Sequence, residues 1–271
     1  MNLISEMFSY NFAVRALIAG LLISLCASVL GVNMVLKRFS MLGDGLSHVA
    51  FGAAAVALAI GAAPLKIAIP VVIIAAFLLL RISSSTKIRG DAAIAMVSSG
   101  ALAIGVIVAT LTTGMNTDIN NYMFGSILAI SKNDVWTAAI VAACVLAVYI
   151  LFYNKIFACA FDERFAEAVG VNVRLYNSIL AVLTAVTVVI GMRIMGALLI
   201  SSIMTFPALS AMRVCKRYRT TVAVSAAISE LSFVTGLLLS FAFDMPGGAS
   251  VVVVELTAFL LFSVIGKLTH K

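Results

Sequence analysis

The sequence predicts an all-α protein, a polytopic bundle of membrane-spanning helices that forms one domain over residues 1–271. Composition is the first reason: 63% of the residues are hydrophobic and 11% are charged, whereas ordinary soluble domains carry about 25% charged residues. The second reason is the length of the apolar runs, several of which approach the roughly 20 residues needed to cross a bilayer. A soluble protein is therefore excluded.

About eight or nine spans are predicted in chain order, although several apolar stretches are shorter than a full span and predict broken or re-entrant helices. The stretches are 12–36, 49–63, 65–80, 92–112, 135–153, 176–192, 195–212, 221–243 and 249–266. The first stretch is too long for the apolar part of a signal peptide and ends in Lys37-Arg38 instead of a small-residue cleavage site. It is therefore interpreted as the first span.

The basic residues predict an orientation with the N-terminus outside and the C-terminus in the cytoplasm. With each stretch crossing once, 14 of the 18 lysines and arginines fall on the inner side and 4 on the outer side. This agrees with the enrichment of basic residues in cytoplasmic loops. The net charge of +7 is explained in the same way, so no nucleic-acid partner is expected.

One inner segment, 161–173, is predicted to form a short amphipathic helix on the cytoplasmic surface. It reads FDERFAEAVGVNV. Asp162 is placed to cap the helix, Phe165 and Val169 share one face at a spacing of four, and Gly170 can end it. An ordinary connecting loop is the alternative interpretation.

A possible metal site is indicated by GDGLSH, in which Asp44 and His48 stand four residues apart and project from the same face of a helix. Carboxylate oxygen and imidazole nitrogen bind zinc well and manganese acceptably, and Ser47 could add an oxygen or a supporting hydrogen bond. The alternative is that Asp44 only caps the helix. Because His270 in the tail is the one other histidine, a zinc enzyme with several histidine ligands is excluded.

The remaining polar residues within the spans support a structural role more than a chemical one. Glu230 and Glu255 are isolated acids that could bond to another helix or line a polar path. Most methionines are interpreted as packing, and so are the four cysteines, which form no Cys-x-x-Cys pair: Cys26, Cys144, Cys159 and Cys215. Phosphate-loop, HExxH and Ser/His/Asp patterns are absent from the sequence, so no enzymatic activity is expected and a membrane-embedded enzyme is disfavoured.

Five blocks, in order along nearly the whole chain, resemble the permease subunits of zinc/manganese-type ABC transporters. The blocks are VLKRFSMLGDGLSHVAFGAA (35–54), FGSILAIS (124–131), FDERFAEAVGV (161–171), MGALLISSIMTFPALSA (195–211) and LSFAFDMPGGASVVV (239–253). Small departures are Gly45, where alanine is common, and Phe241, where tyrosine is frequent.

The resemblance implies a type II-like importer subunit in a bacterial cytoplasmic membrane. Two permease chains would form the pathway within the lipid bilayer, a separate ATPase subunit would hydrolyse ATP, and an extracytoplasmic metal-binding protein would deliver zinc or manganese as cargo. No cofactor is expected in the chain itself. By resemblance, Asp44 and His48 form the transport site, and the ATPase-coupling residues are Asp162, Glu163, Phe165, Ala166 and Gly170.

Two other transport functions remain open from the sequence. A permease for iron or an iron chelate would share the architecture and differ only in metal selectivity. An ion-gradient secondary transporter would use Glu230 and Glu255 as proton carriers and would work without any ATPase.

Overall fold

The architecture is helical throughout the residues that the computed structural model describes, namely 9–83, 90–112, 123, 125 and 130–269. Eleven helices occur in this part of the chain: α1 (Asn11–Leu36), α2 (Leu42–Ala59), α3 (Pro64–Ser83), α4 (Gly90–Leu111), α5 (Lys132–Leu151), α6 (Tyr153–Phe161), α7 (Glu163–Ala168), α8 (Val173–Met195), α9 (Ala197–Val214), α10 (Tyr218–Phe243) and α11 (Gly247–Thr269). Nine of those described helices, all except the short α6 and α7, are long and apolar enough to span a membrane. The chain is thus a multi-pass membrane protein.

Eight of the nine spans in the described chain form two groups according to burial, and α10 is intermediate. In α1, α2, α8 and α9 more than half of the most apolar stretch is buried, whereas in α3, α4, α5 and α11 less than a third is buried. The less buried helices expose large apolar side chains such as Ile74, Met96, Trp136 and Leu260. Apolar surface of this extent suits contact with lipid or with another apolar surface, so the first group forms the core of the bundle.

The expectation of broken or re-entrant helices is wrong for the described residues, because each spanning helix is continuous over 18 to 26 residues. Two of the apparently short apolar stretches, 49–63 and 65–80, lie largely within α2 and α3, which have 18 and 20 residues. α2 begins seven residues earlier than its apolar stretch because GDGLSH is already helical. Hydropathy does not include residues 42–48 in the span, because their polar side chains lower the mean hydropathy of the segment. These side chains do not weaken the helix.

Small residues allow α2 to approach its neighbours closely. A Cβ atom at Gly52 would lie 2.5 Å from the carbonyl oxygen of Ala101 in α4, a distance that real Cβ atoms do not show. Close backbone contact of this kind is typical of membrane helices, where small residues let van der Waals packing hold the bundle together. The α2–α4 crossing therefore fixes the position of the helix that carries Asp44 and His48.

Polar side chains connect helices at the end of the bundle where α1 and α5 end and α10 begins. The Tyr218 hydroxyl donates to Oδ1 of Asn33 at 2.8 Å and lies 2.6 Å from the Tyr149 hydroxyl. These contacts join α10, α1 and α5. They satisfy buried polar groups that would otherwise be costly in an apolar interior.

Candidate metal transport site

α2 begins immediately after a tight turn that follows α1. Lys37 is the C-cap of α1, and Arg38 adopts a left-handed backbone conformation with φ of 62°. The Phe39 amide then donates to the Met34 carbonyl at 2.8 Å, and the Leu42 amide donates to the Phe39 carbonyl at 3.0 Å. The chain reverses within five residues, and the first turn of α2 is held against the end of α1.

Asp44 and His48 are the accessible positions of an otherwise buried helix. Every residue from Leu42 to Ala55 is buried except these two, which are partly exposed. Their side chains project from one face, as their spacing predicts, and the aspartate lies in the first turn of the helix, where the helix dipole favours a negative charge. The most buried spanning helix of the described chain thus presents a carboxylate and an imidazole, and little else, to the space outside the subunit.

The distance between the two groups suits a shared metal ion. His48 Nε2 lies 3.5 Å from Asp44 Oδ1. Two ligands bound to zinc at about 2.0–2.1 Å in tetrahedral geometry are separated by about 3.4 Å. An ion between them therefore requires only a small adjustment of either side chain.

The surroundings of the pair favour weak binding. Nδ1 of His48 is buried and has no hydrogen-bond partner among the described residues. In tight metal sites the second ring nitrogen normally donates to a carboxylate or carbonyl, and loss of that partner lowers metal affinity about 10- to 100-fold. The accessible Nε2 is the nitrogen that can bind the ion, and the pair lacks the usual support behind it.

Ser47 is turned away from the accessible face. It is fully buried, and its hydroxyl donates to the Asp44 backbone carbonyl at 2.8 Å. The alternative that Asp44 serves as the cap of α2 is not supported, because the N-cap position is Met41 and has no side-chain cap hydrogen bond.

The described residues of one chain supply two ligands and not a complete cage. No group of three or more His, Cys, Asp or Glu side chains suited to a metal ion is present among them. Four to six ligands are usual for zinc or manganese. A bound ion would therefore take its remaining ligands from water or from another molecule.

The isolated acids occupy different environments. Glu230 in α10 accepts a hydrogen bond from the Ser24 hydroxyl in α1 at 2.8 Å, so it bonds to another helix as one of the sequence interpretations expected. Glu255 in α11 is fully buried, and neither of its carboxylate oxygens has a hydrogen-bond partner among the described residues. Neither acid is part of the Asp44–His48 pair.

The packing interpretation holds for only part of the described sulfur-containing residues, since Met41, Met96 and Met245 are exposed. Met192, Met195 and Met204 are buried, and so are Cys26 and Cys159. The packing interpretation is wrong for Cys144, which is exposed on α5. α5 is one of the less buried helices, and a cysteine at its outward face is as compatible with an apolar surrounding as alanine is.

The predicted short helix in 161–173 is present as α7. Oδ1 of Asp162 accepts hydrogen bonds from the Arg164 and Phe165 amides at 2.9 and 3.1 Å, and Gly170 has φ of 83° immediately after the helix. Phe165 and Val169 are 61% and 57% exposed. The segment therefore presents two apolar side chains outward at one end of the bundle.

The inward side of α7 is attached to the bundle by Ala166 and Glu163. Ala166 is completely buried. Glu163 Oε1 lies 2.8 Å from Lys37 Nζ at the end of α1 and accepts a hydrogen bond from Asn177 Nδ2 of α8 at 3.1 Å. No local pattern in the sequence indicates this ion pair, since its partners are 126 residues apart.

Two of the blocks noted in the sequence meet in space. Gly125, in the block FGSILAIS, lies against Met195 and Gly196 at the junction of α8 and α9: a Cβ at Gly125 would be 2.3 Å from the Met195 carbonyl oxygen. Most of the stretch 113–134, which contains this block, and the tail with His270 lie outside the described residues.

Comparison with known families decides the classification. The model of the ABC 3 transport family matches residues 9–266, which is nearly the entire chain. The chain belongs to the ABC 3 transport family. The matched region includes both α2, which carries Asp44 and His48, and α7.

Named relatives of this ABC 3 family chain are membrane components of metal transport systems. The high-affinity zinc uptake system membrane protein ZnuB of Haemophilus influenzae is 30% identical over 246 residues, which cover 91% of this chain and 94% of the relative. The manganese transport system membrane protein MntC of Halalkalibacterium halodurans is 27% identical over 256 residues, covering 94% and 88%.

A solved structure supports the same fold. PsaBC from Streptococcus pneumoniae, determined in complex with a Fab, contains a chain that superimposes with a TM-score of 0.86 at 27% identity, covering 96% of this chain and 94% of that one. The arrangement of spans described above is therefore that of an ABC 3 family permease.

Proposed function

We propose that this chain is the membrane-spanning permease subunit of an ATP-driven importer that carries zinc or manganese across the cytoplasmic membrane of a bacterium. The observation that carries the proposal is the pair Asp44 and His48, the only accessible positions in the first fourteen residues of the buried α2. The relatives named for zinc and manganese transport support the choice of cargo over iron or an iron chelate.

Two permease chains would complete the site. Each chain supplies two ligands, so two copies that face each other across a central axis supply four, as many as zinc normally binds. The extended apolar surface of the outer helices leaves room for a second subunit as well as for lipid. The distance of 3.5 Å within each pair is compatible with this shared site.

Weak support for the ligands suits transport. An ion in a pathway must be bound well enough to lose its water shell and weakly enough to leave again. The unpartnered Nδ1 of His48 and the incomplete ligand set both reduce affinity relative to a closed structural site. The metal is cargo in this proposal, and no resident cofactor is expected in the chain.

ATP hydrolysis would take place on a separate subunit that docks on α7. The exposed Phe165 and Val169 form an apolar contact surface, while Asp162, Glu163, Ala166 and Gly170 shape the helix and attach it to the bundle. This requires α7 to be cytoplasmic, with the N-terminus outside and the C-terminus inside. An extracytoplasmic metal-binding protein would deliver the ion to the opposite side.

Metal uptake by the reconstituted transporter tests the proposal. Permease, ATPase and binding protein are placed in liposomes, and uptake of zinc, manganese and iron is compared for wild type, Asp44→Asn, His48→Gln and the control Asp91→Asn, an exposed acid of α4. We expect uptake of zinc or manganese that requires ATP, survives in the control and is lost in both site variants. Uptake that continues with a hydrolysis-deficient ATPase would favour the ion-gradient alternative instead.

A further inference from the structure

A three-way polar contact joins α7 to the spanning helices. Lys37 Nζ donates to Glu163 Oε1 at 2.8 Å and also to Oδ1 of Asn177. Asn177 Nδ2 donates to the same Glu163 oxygen at 3.1 Å. The end of α1, the first residue of α7 and the beginning of α8 are thus linked through one carboxylate.

The buried position of Lys37 makes this contact restrictive. Its side chain is 6% exposed, and a lysine charge removed from water must keep an anionic partner or lose several kcal/mol. The Glu163 side chain is 53% exposed, so the pair is buried on the lysine side only, and the Lys37 ammonium loses most if the contact opens. Burial tends to raise the pKa of Glu163, but the hydrogen bonds from Lys37 and Asn177 and the lysine charge outweigh it, so the pKa lies below its ordinary value. Glu163 is therefore ionised at neutral pH.

α7 has few other attachments through which a force could pass. Of its six residues only Ala166 is buried. On a helix Glu163 and Ala166 project to one side, and Phe165 and Val169 project to the other. If a bound subunit displaces the exposed side of α7, the displacement reaches the bundle through the buried Ala166 and through the Glu163 carboxylate.

Lys37 in turn lies next to the beginning of α2. The turn between α1 and α2 is short and held by backbone hydrogen bonds, including that from the Phe39 amide to the Met34 carbonyl at 2.8 Å. Asp44 follows Lys37 by seven residues and lies in the first turn of α2. Displacement of Lys37 must therefore move the turn and the position of the Asp44 carboxylate with it.

We infer that Lys37 is a positioning residue for transport, whose ion pair with Glu163 passes movement of α7 to the first turn of α2 and so couples the ATPase cycle to the metal at Asp44 and His48. This inference rests on the proposed function, since it takes α7 as the surface on which the ATPase acts. Rigid-body movement of one packed element against another is an established way to pass a change from one site to a distant one.

Charge reversal tests the inference in the reconstituted transporter. The variants are Lys37→Glu, Glu163→Lys and the double exchange, with Lys216→Glu as a control at an exposed basic residue in the turn between α9 and α10. Three quantities are measured: ATPase bound per permease, ATP hydrolysed, and metal imported per ATP. Relative to the ATPase bound and the ATP hydrolysed by each variant, we expect each single variant to import about tenfold less metal per ATP, and the double exchange to recover most of that loss.

A pair of uncharged substitutions controls for misfolding of the charge-reversed variants. The combination Lys37→Met with Glu163→Gln keeps the side-chain volumes and removes the ionic tie, and it should also lower metal imported per ATP while leaving metal binding to the permease unchanged. Wild-type import per ATP in the single variants, or a double exchange no better than the worse single variant, would overturn the inference alone. Absence of ATP-dependent uptake by the wild-type transporter would overturn the proposed function and the inference with it.

Discussion

Nη2 of Arg193, near the end of α8, lies 3.0 Å from Oδ1 of Asp134 at the beginning of α5. The other carboxylate oxygen accepts hydrogen bonds from the Ser131 amide at 3.0 Å and the Ser131 hydroxyl at 2.7 Å. Both oxygens of a nearly buried carboxylate are thus occupied, one by the ion pair and one by the cap of α5. Asp134→Asn should lower the free energy of unfolding by about 1–3 kcal/mol, because Arg193 loses its charged partner.

Thermal unfolding of the purified protein in detergent measures this effect, with the exposed Asp91→Asn as the matched control. Ser131→Ala should cost about 1 kcal/mol, since it removes the cap and leaves the ion pair. Equal stability of the Asp134 and Asp91 variants would contradict the importance of the α5–α8 contact.

Substitution by alanine should have opposite effects on stability at two glycines, Gly52 and Gly100. At Gly52 the new Cβ would lie 2.5 Å from the Ala101 carbonyl oxygen, so α2 and α4 must move apart; at Gly100 no atom lies within 4 Å of the new Cβ. We expect Gly52→Ala to destabilise the protein by about 1–3 kcal/mol and Gly100→Ala to be neutral or stabilising by up to about 1 kcal/mol. Metal uptake should fall in the first variant because α2 carries the site, and a fully stable, active Gly52→Ala would show that the crossing is not tight.

An acidic side chain on the outward face of α7 should prevent ATPase docking. Phe165 is 61% exposed, and placing a charge in an apolar contact costs about 2 kcal/mol or more at a central interface position. Phe165→Glu should reduce the ATPase that copurifies with the permease by about tenfold or more. Phe243→Glu, at an equally exposed phenylalanine at the end of α10, should leave copurification unchanged; equal loss in both would indicate general damage.

The pKa of Glu163 predicts how the attachment of α7 depends on pH. Its pKa is lowered from the ordinary value of 4.5 in the folded protein, so the ionised carboxylate stabilises the folded state above pH 4.5 and this contribution is lost as the pH falls through the lowered pKa. Hydrogen exchange of α7 amides should therefore stay slow from neutral pH down to about 4.5, after correction for intrinsic rates, and increase below it. In Glu163→Gln the exchange should already be faster at neutral pH and show no such step.

Local patterns in the sequence were sufficient for much of the site. The spacing of Asp44 and His48 places them on one helical face wherever that helix lies, and the types of residue indicate metal binding. Asp162 and Gly170 likewise predicted the two ends of α7, because capping depends on neighbouring residues alone. The structure adds that α2 extends back to Leu42 and buries everything around the pair.

Other features could not be obtained from the sequence. In a membrane protein the buried and the lipid-facing sides of a helix are both apolar, so hydropathy does not distinguish core helices such as α2 from outer helices such as α5. This is why Cys144 was expected to pack inside although it is exposed. The roles of Glu230, bonded to Ser24, and of Glu255, buried without a partner among the described residues, likewise depend on neighbours from distant parts of the chain.

The sequence by itself determined that this protein is a membrane protein and which acid and histidine share a helical face. It also determined, to within one, how many membrane-spanning helices the described chain has. Each of these depends on composition or on spacing within a few residues. The tertiary structure alone decided which helix is enclosed by the others and which charge Lys37 meets. Those outcomes depend on contacts between separate segments, such as Gly52 with Ala101 and Lys37 with Glu163, which are 126 residues apart, and no local period in a chain encodes them.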